Sequence, residues 1–268
     1  MANTVYPNKV IEAKAKDILT TQINARSMMT IDTSLTQNAG MVKTINTYTY
    51  TGAAEEVAAG SGNSTRGSIA YVGKDYTVKM VQQAFDYLDE DFMKDPVIVD
   101  FGIKGATSVM TNKMTSDFYS ALATKSGATE LVKGITFAKG KALSYDVIVD
   151  AISELNLEDE SKIFIVIPNT WKASLRKDPD YKSALMGEVI YNGQVGTVCG
   201  IPVIATKALT DKAYVMTNEA VTLFLKKDVE VEQERDADKR KNSVYLRSCY
   251  VCALRDATKA CKITEATA

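Results

Sequence analysis

Apolar and polar positions alternate along two stretches in the first third of the chain, VKTINTYTYT from position 42 and SIAYVGKDYTVKMV from position 68. Both are rich in β-branched and aromatic residues, the composition of strands. Gly73 predicts a bulge or kink in the second. The intervening GAAEEVAAGSGNSTRG is small and polar, so the pattern predicts a long hairpin. Ten strand residues at roughly 3.3 Å each span about 30 Å or more. A compact globule of this length has a radius of gyration of only roughly 18 Å. The arm therefore projects from its own body, and a two-stranded ribbon alone is marginal. It needs a surface to lie on, and the commonest candidate is another copy of the chain.

Upstream, residues 8–26 carry Val10, Ile11, Ala15, Ile18, Leu19 and Ile23 at helical spacing. A polar connector at 29–40 separates them from the hairpin, which favours a detached arm. After the hairpin, AFDYLDEDFMKDP predicts a short acidic helix ended near Pro96. Then Val99, Ile103, Ala106, Met110, Met114, Phe118 and Ala121 recur every three or four residues, with Lys104, Thr107, Thr111, Asn112 and Thr115 opposite. A one-sided helix over 97–124 would be roughly 40 Å long and suits a spine laid along an extended sheet. Gly102 and Gly105 either weaken its first turns or admit another backbone.

The middle of the chain alternates elements. Ser144 is a candidate N-cap for a helix bearing Tyr145, Ile148, Ala151, Ile152 and Leu155. KIFIVI is a continuous apolar run of the central-strand kind, and Asn169 is a candidate cap for a short helix containing Trp171. KDPDYKSALMGEVIYNGQVGTVCG is loop-like, and IPVIAT predicts a returning strand. The last quarter is strands: AYVMT, AVTLFLKK, DVEVEQERD, SVYLRSCYVCALRDA and, as a final edge, KACKIT. Arms, a spine helix, a small α/β module and a closing sheet make an α+β design.

Composition narrows the function. The 268 residues include no histidine, which removes histidine-based acid–base and nucleophilic catalysis and most catalytic zinc sites. A net charge of −1 provides no footprint for tight binding to nucleic acid or an anionic membrane. Neither a spanning apolar run nor a signal-peptide stretch is present, so the expectation is a soluble protein made in a cytoplasm. Cys249 and Cys252 sit three apart within a predicted strand and so face opposite sides. With Cys199 and Cys261 they are expected to be free thiols rather than metal ligands or bridges.

Four other constellations have sharper and blander readings. Glu230, Glu232 and Glu234 share a strand face and could take a hard cation, but a wet face balanced by nearby Lys and Arg is simpler. DYLDED at 86–91 lacks the glycine and terminal glutamate of a calcium loop, so helix-start charge explains it better. GSGNSTRG resembles a phosphate loop, but a strand rather than a helix follows it. Tyr48, Tyr50, Tyr71 and Tyr76 cluster in the arm, fit either for surfaces buried on association or for cross-strand packing.

Taken in order, these stretches resemble the major capsid proteins of tailed bacteriophages, the Hong Kong 97-type fold. GTVCGIPVIATKAL, AYVMTNEAVTLFLKKDVEVEQERD and SVYLRSCYVCALRDATKACKIT carry the likeness most clearly. The resemblance implies an N-terminal arm (1–40), an extended loop (41–83), a peripheral domain with the spine helix (84–143 and 207–268) and an apical domain (144–206). It places the strands between 213 and 264 in one peripheral sheet. It further implies a non-enzymatic subunit of an icosahedral shell of hexamers and pentamers, with no cofactor, no membrane and packaged DNA contacted only weakly. It implies a separate scaffolding protein and a portal as partners, and the long N-terminal scaffolding extension that some members cleave away is not seen in this sequence. Tyr48, Tyr50, Arg66, Tyr71, Lys74 and Tyr76 are the candidate subunit contacts. Some members crosslink a loop lysine, and Lys74 lies in the right region, but no motif fixes a partner. An encapsulin shell is the near alternative. The rival from another class is a small α/β enzyme or ligand-binding protein built on 144–206, where KIFIVIPN runs into a helix.

Overall fold

The computed structural model describes residues 10–13, 25–37, 39–126, 128–184 and 196–266. In chain order, a 3-10 turn at Ala25–Met28 leads into β1 (Thr30–Asp32), β2 (Val42–Thr51), β3 (Ser68–Thr77) and β4 (Lys79–Leu88). Helices α1 (Asp89–Lys94) and α2 (Val97–Leu122) follow, then β5 (Lys125–Ser126), β6 (Thr129–Glu130) and β7 (Lys133–Phe137). The middle holds α3 (Tyr145–Glu154), β8 (Ile163–Pro168), α4 (Lys172–Lys177), α5 (Pro179–Ala184), β9 (Thr197–Val198) and β10 (Ile201–Thr206). The chain closes with β11 (Lys212–Thr217), β12 (Val221–Asp236), β13 (Lys241–Leu254) and β14 (Ala260–Glu265).

The spine helix α2 is 26 residues long, roughly 39 Å at 1.5 Å per residue. Asp95 starts it by accepting the Val97 N–H at 2.9 Å. Its predicted apolar row is buried along its whole length. Val99, Ile103, Ala106 and Met110 pack on Val229, Val231, Val244 and Leu246, while Met114 and Phe118 pack with Leu223, Leu225 and Tyr250. The opposite face departs from expectation twice. Thr107 and Thr111 are buried: Thr111 returns its hydroxyl to the Thr107 carbonyl at 2.9 Å, while the buried Thr107 hydroxyl finds no partner among the described residues. The helix is also not one-sided, since Val97, Phe101 and Val109 point outward. Gly102 admits a ring rather than a backbone: a Cβ there would lie 2.5 Å from Cε2 of Phe85.

Under the spine runs a four-stranded sheet, β1-β12-β13-β4. Strand β12 fuses the two predicted segments AVTLFLKK and DVEVEQERD, and its register to β13 shifts between Leu225 and Lys227 and again between Lys227 and Glu230. Each shift inserts one residue and flips the exposed face; the second restores it, so Val229 and Val231 face the spine as Leu223 and Leu225 do. The segment AFDYL, predicted as helix, is strand instead: Ala84 to Leu88 pair with β13, and only Asp89–Lys94 is helical. Alternation won there, with Phe85 and Tyr87 packed against the spine's core.

The second sheet has six strands, β7-β14-β11-β8-β10-β9. Strands β11 and β14, expected in the peripheral sheet, lie here, and β14 is interior rather than an edge, paired to both β11 and β7. The physical reason is two-sided burial. Ala213 and Val215 of β11 pack with Ile148 and Ala151 under α3, while Tyr214 and Met216 turn to the spine's core with Phe118 and Leu122. A strand apolar on both faces belongs in the middle of a sheet covered on both sides. Ser144 stands at the N-terminus of α3 without a side-chain cap bond, and Asp178 accepts the Tyr145 N–H at 2.7 Å instead. Trp171 precedes α4 rather than lying within it.

The expected N-terminal helix falls largely outside the described residues, but what is described is tied to the body. Ile11 is buried among Val99, Ile103 and Val244. Arg26 reaches Asp228, at the β12 bulge, with two hydrogen bonds of 3.1 and 3.2 Å. Strand β1, within the supposed connector, pairs in parallel with Thr222 to Phe224. The polar residues around Met28, Met29 and Leu35 masked three buried apolar anchors.

Candidate functional site

The arm is β2 paired antiparallel to β3 through ten consecutive partners, from Val42 opposite Thr77 to Thr51 opposite Ser68. Gly73 sits opposite Asn46 in unbroken register, so the expected bulge is absent; both strands carry enough β-branched residues to stay regular. Directly opposed residues share a face. Tyr48 with Tyr71 and Tyr50 with Ile69 therefore build one face. The Tyr48 and Tyr71 rings stand 6.3 Å apart, tilted by 41°. All four side chains are between 67% and 71% exposed, so the face is an unburied apolar patch.

At the far end the two strands converge on Gly52 and Gly67. A Cβ on Gly52 would lie 2.8 Å from the Gly67 Cα, and one on either glycine would strike the Tyr50 ring. Beyond them the tip, which includes Arg66, is closed by Glu55. Its carboxylate accepts from the Ser64 N–H, the Ser64 hydroxyl at 2.5 Å and both donors of Thr65 at 3.4 Å. The Ser64 hydroxyl and these N–H groups hold the carboxyl below its usual range. The donors that made GSGNSTRG resemble a phosphate loop are thus turned to a side chain of the same loop.

The near end is a hinge with its own small core. Ile45 and Tyr76, on the face opposite the tyrosine patch, pack on Leu35, Val78 and Phe224. The Tyr76 hydroxyl donates to the Leu254 carbonyl at 3.1 Å, and the Lys43 ammonium lies 5.6 Å from the Phe224 ring centre. Tyr76 therefore serves its own subunit rather than the exposed surface. Lys74 lies over the Tyr76 ring at 5.4 Å on that same face. The structure thus brings Tyr48, Tyr50 and Tyr71 together and sets Lys74 and Tyr76 apart. Sequence reasoning missed the root, whose residues come from five separate segments, and the outward row of α2.

The other constellations resolve into structural roles. Arg247 bonds Glu232 at 2.6 Å, Lys227 bonds Glu230 at 2.6 Å, and Tyr245 donates to Glu234 at 3.3 Å, so the glutamate row is a paired wet face. Asp89 accepts from Arg235 and Asn242, and Asp86 from Ser243, clasping the β12–β13 turn. Cys249 and Cys252 face opposite sides of β13, packed in separate cores. Burial, with Asp117 nearby, pushes the Cys252 thiol up to about 12, and burial pushes Cys261 up to about 11. All four cysteines are free, and no cluster fit for a metal occurs among the described residues. Among those residues no helix is long and apolar enough to cross a membrane. Among the described residues, clefts of about 430 and 360 Å³ lie around Thr217 and Glu219 and around Asp117 and Tyr250, away from the Pro168 end of β8 where an α/β enzyme would bind its ligand.

A spine helix on a bulged sheet, a second sheet behind it and a projecting arm define the Hong Kong 97-type capsid fold, and solved structures agree. The capsid of cyanophage P-SCSP1u superposes with a TM-score of 0.66 at 12% identity, over 90% of this chain and 87% of that one. The virus-like particle of Pyrococcus furiosus gives 0.63 at 10% identity, over 95% and 98%. No protein-family profile matches the chain. In sequence it is 25% identical over 272 residues to the major capsid protein of Staphylococcus phage phiMR11, covering 98% of this chain and 94% of that protein. The likeness in sequence and in fold is to the major capsid proteins of tailed bacteriophages, and it makes the chain a structural, non-enzymatic protein of the virion capsid that assembles with itself into a shell.

Proposed function

We propose that the subunit forms hexamers and pentamers of a phage head by laying its β2–β3 arm over a neighbouring copy, with Tyr48, Tyr50, Tyr71 and Arg66 at the contact. The observation that carries this is the exposed tyrosine face on an arm that, among the described residues, meets its own body at the root. Lys74, over Tyr76, stands at the edge of that contact. In this reading the chain divides into an N-terminal arm, an extended loop, a peripheral domain and an apical domain, and the six-stranded sheet that holds β7, β11 and β14 runs across the last two. A separate scaffolding protein and a portal complete the head, and the near-neutral chain touches the packaged DNA only weakly. The test is electron microscopy and size-exclusion chromatography of the chain expressed with and without its phage's scaffolding protein. Shells or capsomer rings are expected in at least one condition; a stable monomer in both, with the arm resistant to protease, overturns the proposal.

The likeness to the Pyrococcus particle favours a second reading, a genome-free shell of the encapsulin kind. Nucleic-acid content of particles purified from infected or induced cells separates the two.

A further inference from the structure

The arm stands on two legs, and they are held unequally. One leg is β4, which continues β3 after the single residue Val78 and pairs with β13 over ten residues, Lys79 to Leu88. The other is the segment 25–37, which leads into β2 and joins the sheet through β1, over three residues. This second leg is a strap around the edge of the four-stranded sheet, and β1 is that edge. Before it, Met28 and Met29 are buried on the spine side with Met114 and Phe118. After it, Leu35 is buried on the far side with Phe224, Ile45 and Tyr76.

The strap's other fastenings are polar. At its start Arg26 holds Asp228, and Thr30 gives its N–H and its hydroxyl to the Asn218 carbonyl at 3.1 and 2.9 Å. At its end Lys43, the second residue of β2, donates to the Ser34 hydroxyl at 2.9 Å and lies 4.0 Å from the Asp32 carboxylate. The same ammonium stands over the Phe224 ring, so it ties strap, arm and sheet at one point. Partly exposed contacts of this kind are each of modest worth. The legs meet where the Val78 N–H reaches the Met41 carbonyl at 2.7 Å.

We infer that the strap is a releasable latch that sets the angle of the arm. Docked, it fixes the arm to the sheet at two places; withdrawn from the sheet edge, it leaves the arm pivoting on Val78. The more weakly held unit opens first, so the strap leaves β12 before β4 leaves β13. Anything that takes hold of residues 25–37 is thereby felt at the tyrosine face. The latch acts within one subunit and holds whatever that face meets.

The test is double electron–electron resonance on unassembled, full-length subunits. Nitroxides are placed at Ser68→Cys, at the far end of the ribbon, and at Ser116→Cys, on the exposed side of the spine, with the exposed Cys199 replaced by Ser. One narrow distance distribution is expected while the strap is intact. Arg26→Ala, whose partner Asp228 lies outside the arm, and Lys43→Met should each about double its width with a cooperative melt retained. A broad distribution in the parent overturns the latch, and so does an unchanged width in both variants. Broadening from Lys43→Met alone overturns the strap's part, since it places the whole joint at the root. Should Arg26→Ala fail to fold, Leu35→Ala in the strap takes its place under the same criterion. No shell is needed for the measurement, so its outcome is separate from that of the arm-over-neighbour reading.

Discussion

Strands β13 and β3 are both antiparallel, both rich in β-branched and tyrosine side chains, and they end in opposite environments. In β13, Val244, Leu246 and Tyr250 are closed under the spine helix and the strand is flanked on both edges. In β3, paired on one edge only, Ile69, Tyr71 and Val72 stand in the open. Local pattern makes the strand in each case; what differs is the third layer. The body's strands are stabilised by burial inside the subunit, and the arm has only its backbone ladder, a few cross-strand pairs and a root. Such a ribbon gains its order from a surface it does not own.

The largest effect should come from the body. Phe118→Asp puts an unpaired carboxyl at a fully buried position between the two sheets, and with the lost packing of the ring its cost is comparable with the roughly 5–15 kcal/mol of an ordinary domain's stability. The expected outcome is insoluble protein without a cooperative melt; a soluble, folded variant would break the contrast. The arm should behave in the opposite way. Deleting residues 53–66 joins Gly52 to Gly67, whose backbones already lie side by side, leaving a two-residue Gly-Gly turn of the favoured hairpin kind. Calorimetry of unassembled subunits should show an unmoved melt, and microscopy of the same variant should show no shells or fragile ones.

Smaller changes sharpen the comparison. Gly102→Ala sets a methyl against the Phe85 ring and should destabilise the subunit by about 1–2 kcal/mol, overpacking outweighing the helix-propensity gain. Gly105→Ala, where the added methyl meets open space, should stabilise the subunit by roughly 0.5–1 kcal/mol. Equal melts for the two would remove the distinction between inner and outer faces. At the root, Tyr76→Phe loses the bond to the Leu254 carbonyl and should cost about 1 kcal/mol by denaturant titration.

The smallest effect is confined to the tip. The Glu55 carboxyl is held low in the folded arm, so the order it imposes is complete above the ordinary carboxylate range and fades as pH falls through the lowered value. Protection of the Ser64 and Thr65 amides, taken relative to their intrinsic exchange rates, should fall over that interval while the core amides stay protected, and Glu55→Gln should abolish that pH-dependent loss of protection.

Much of this protein was legible in its residues. The arm, the spine's buried row, the helix at Tyr145 and the long C-terminal strands follow from periods of two and 3.6, which need no knowledge of neighbours. The absent histidine and the order of elements pointed to a shell subunit rather than an enzyme. What the sequence could not settle were properties of pairs of distant segments. AFDYL became strand because β13 offered its edge, and β11 and β14 joined the second sheet because α3 and the spine cover both faces. Tyr76 was withdrawn from the exposed set because Leu254, far along the chain, supplies its carbonyl. Periodicity says which side of an element is apolar; only the packed chain says whether that side meets its own core or waits for another copy.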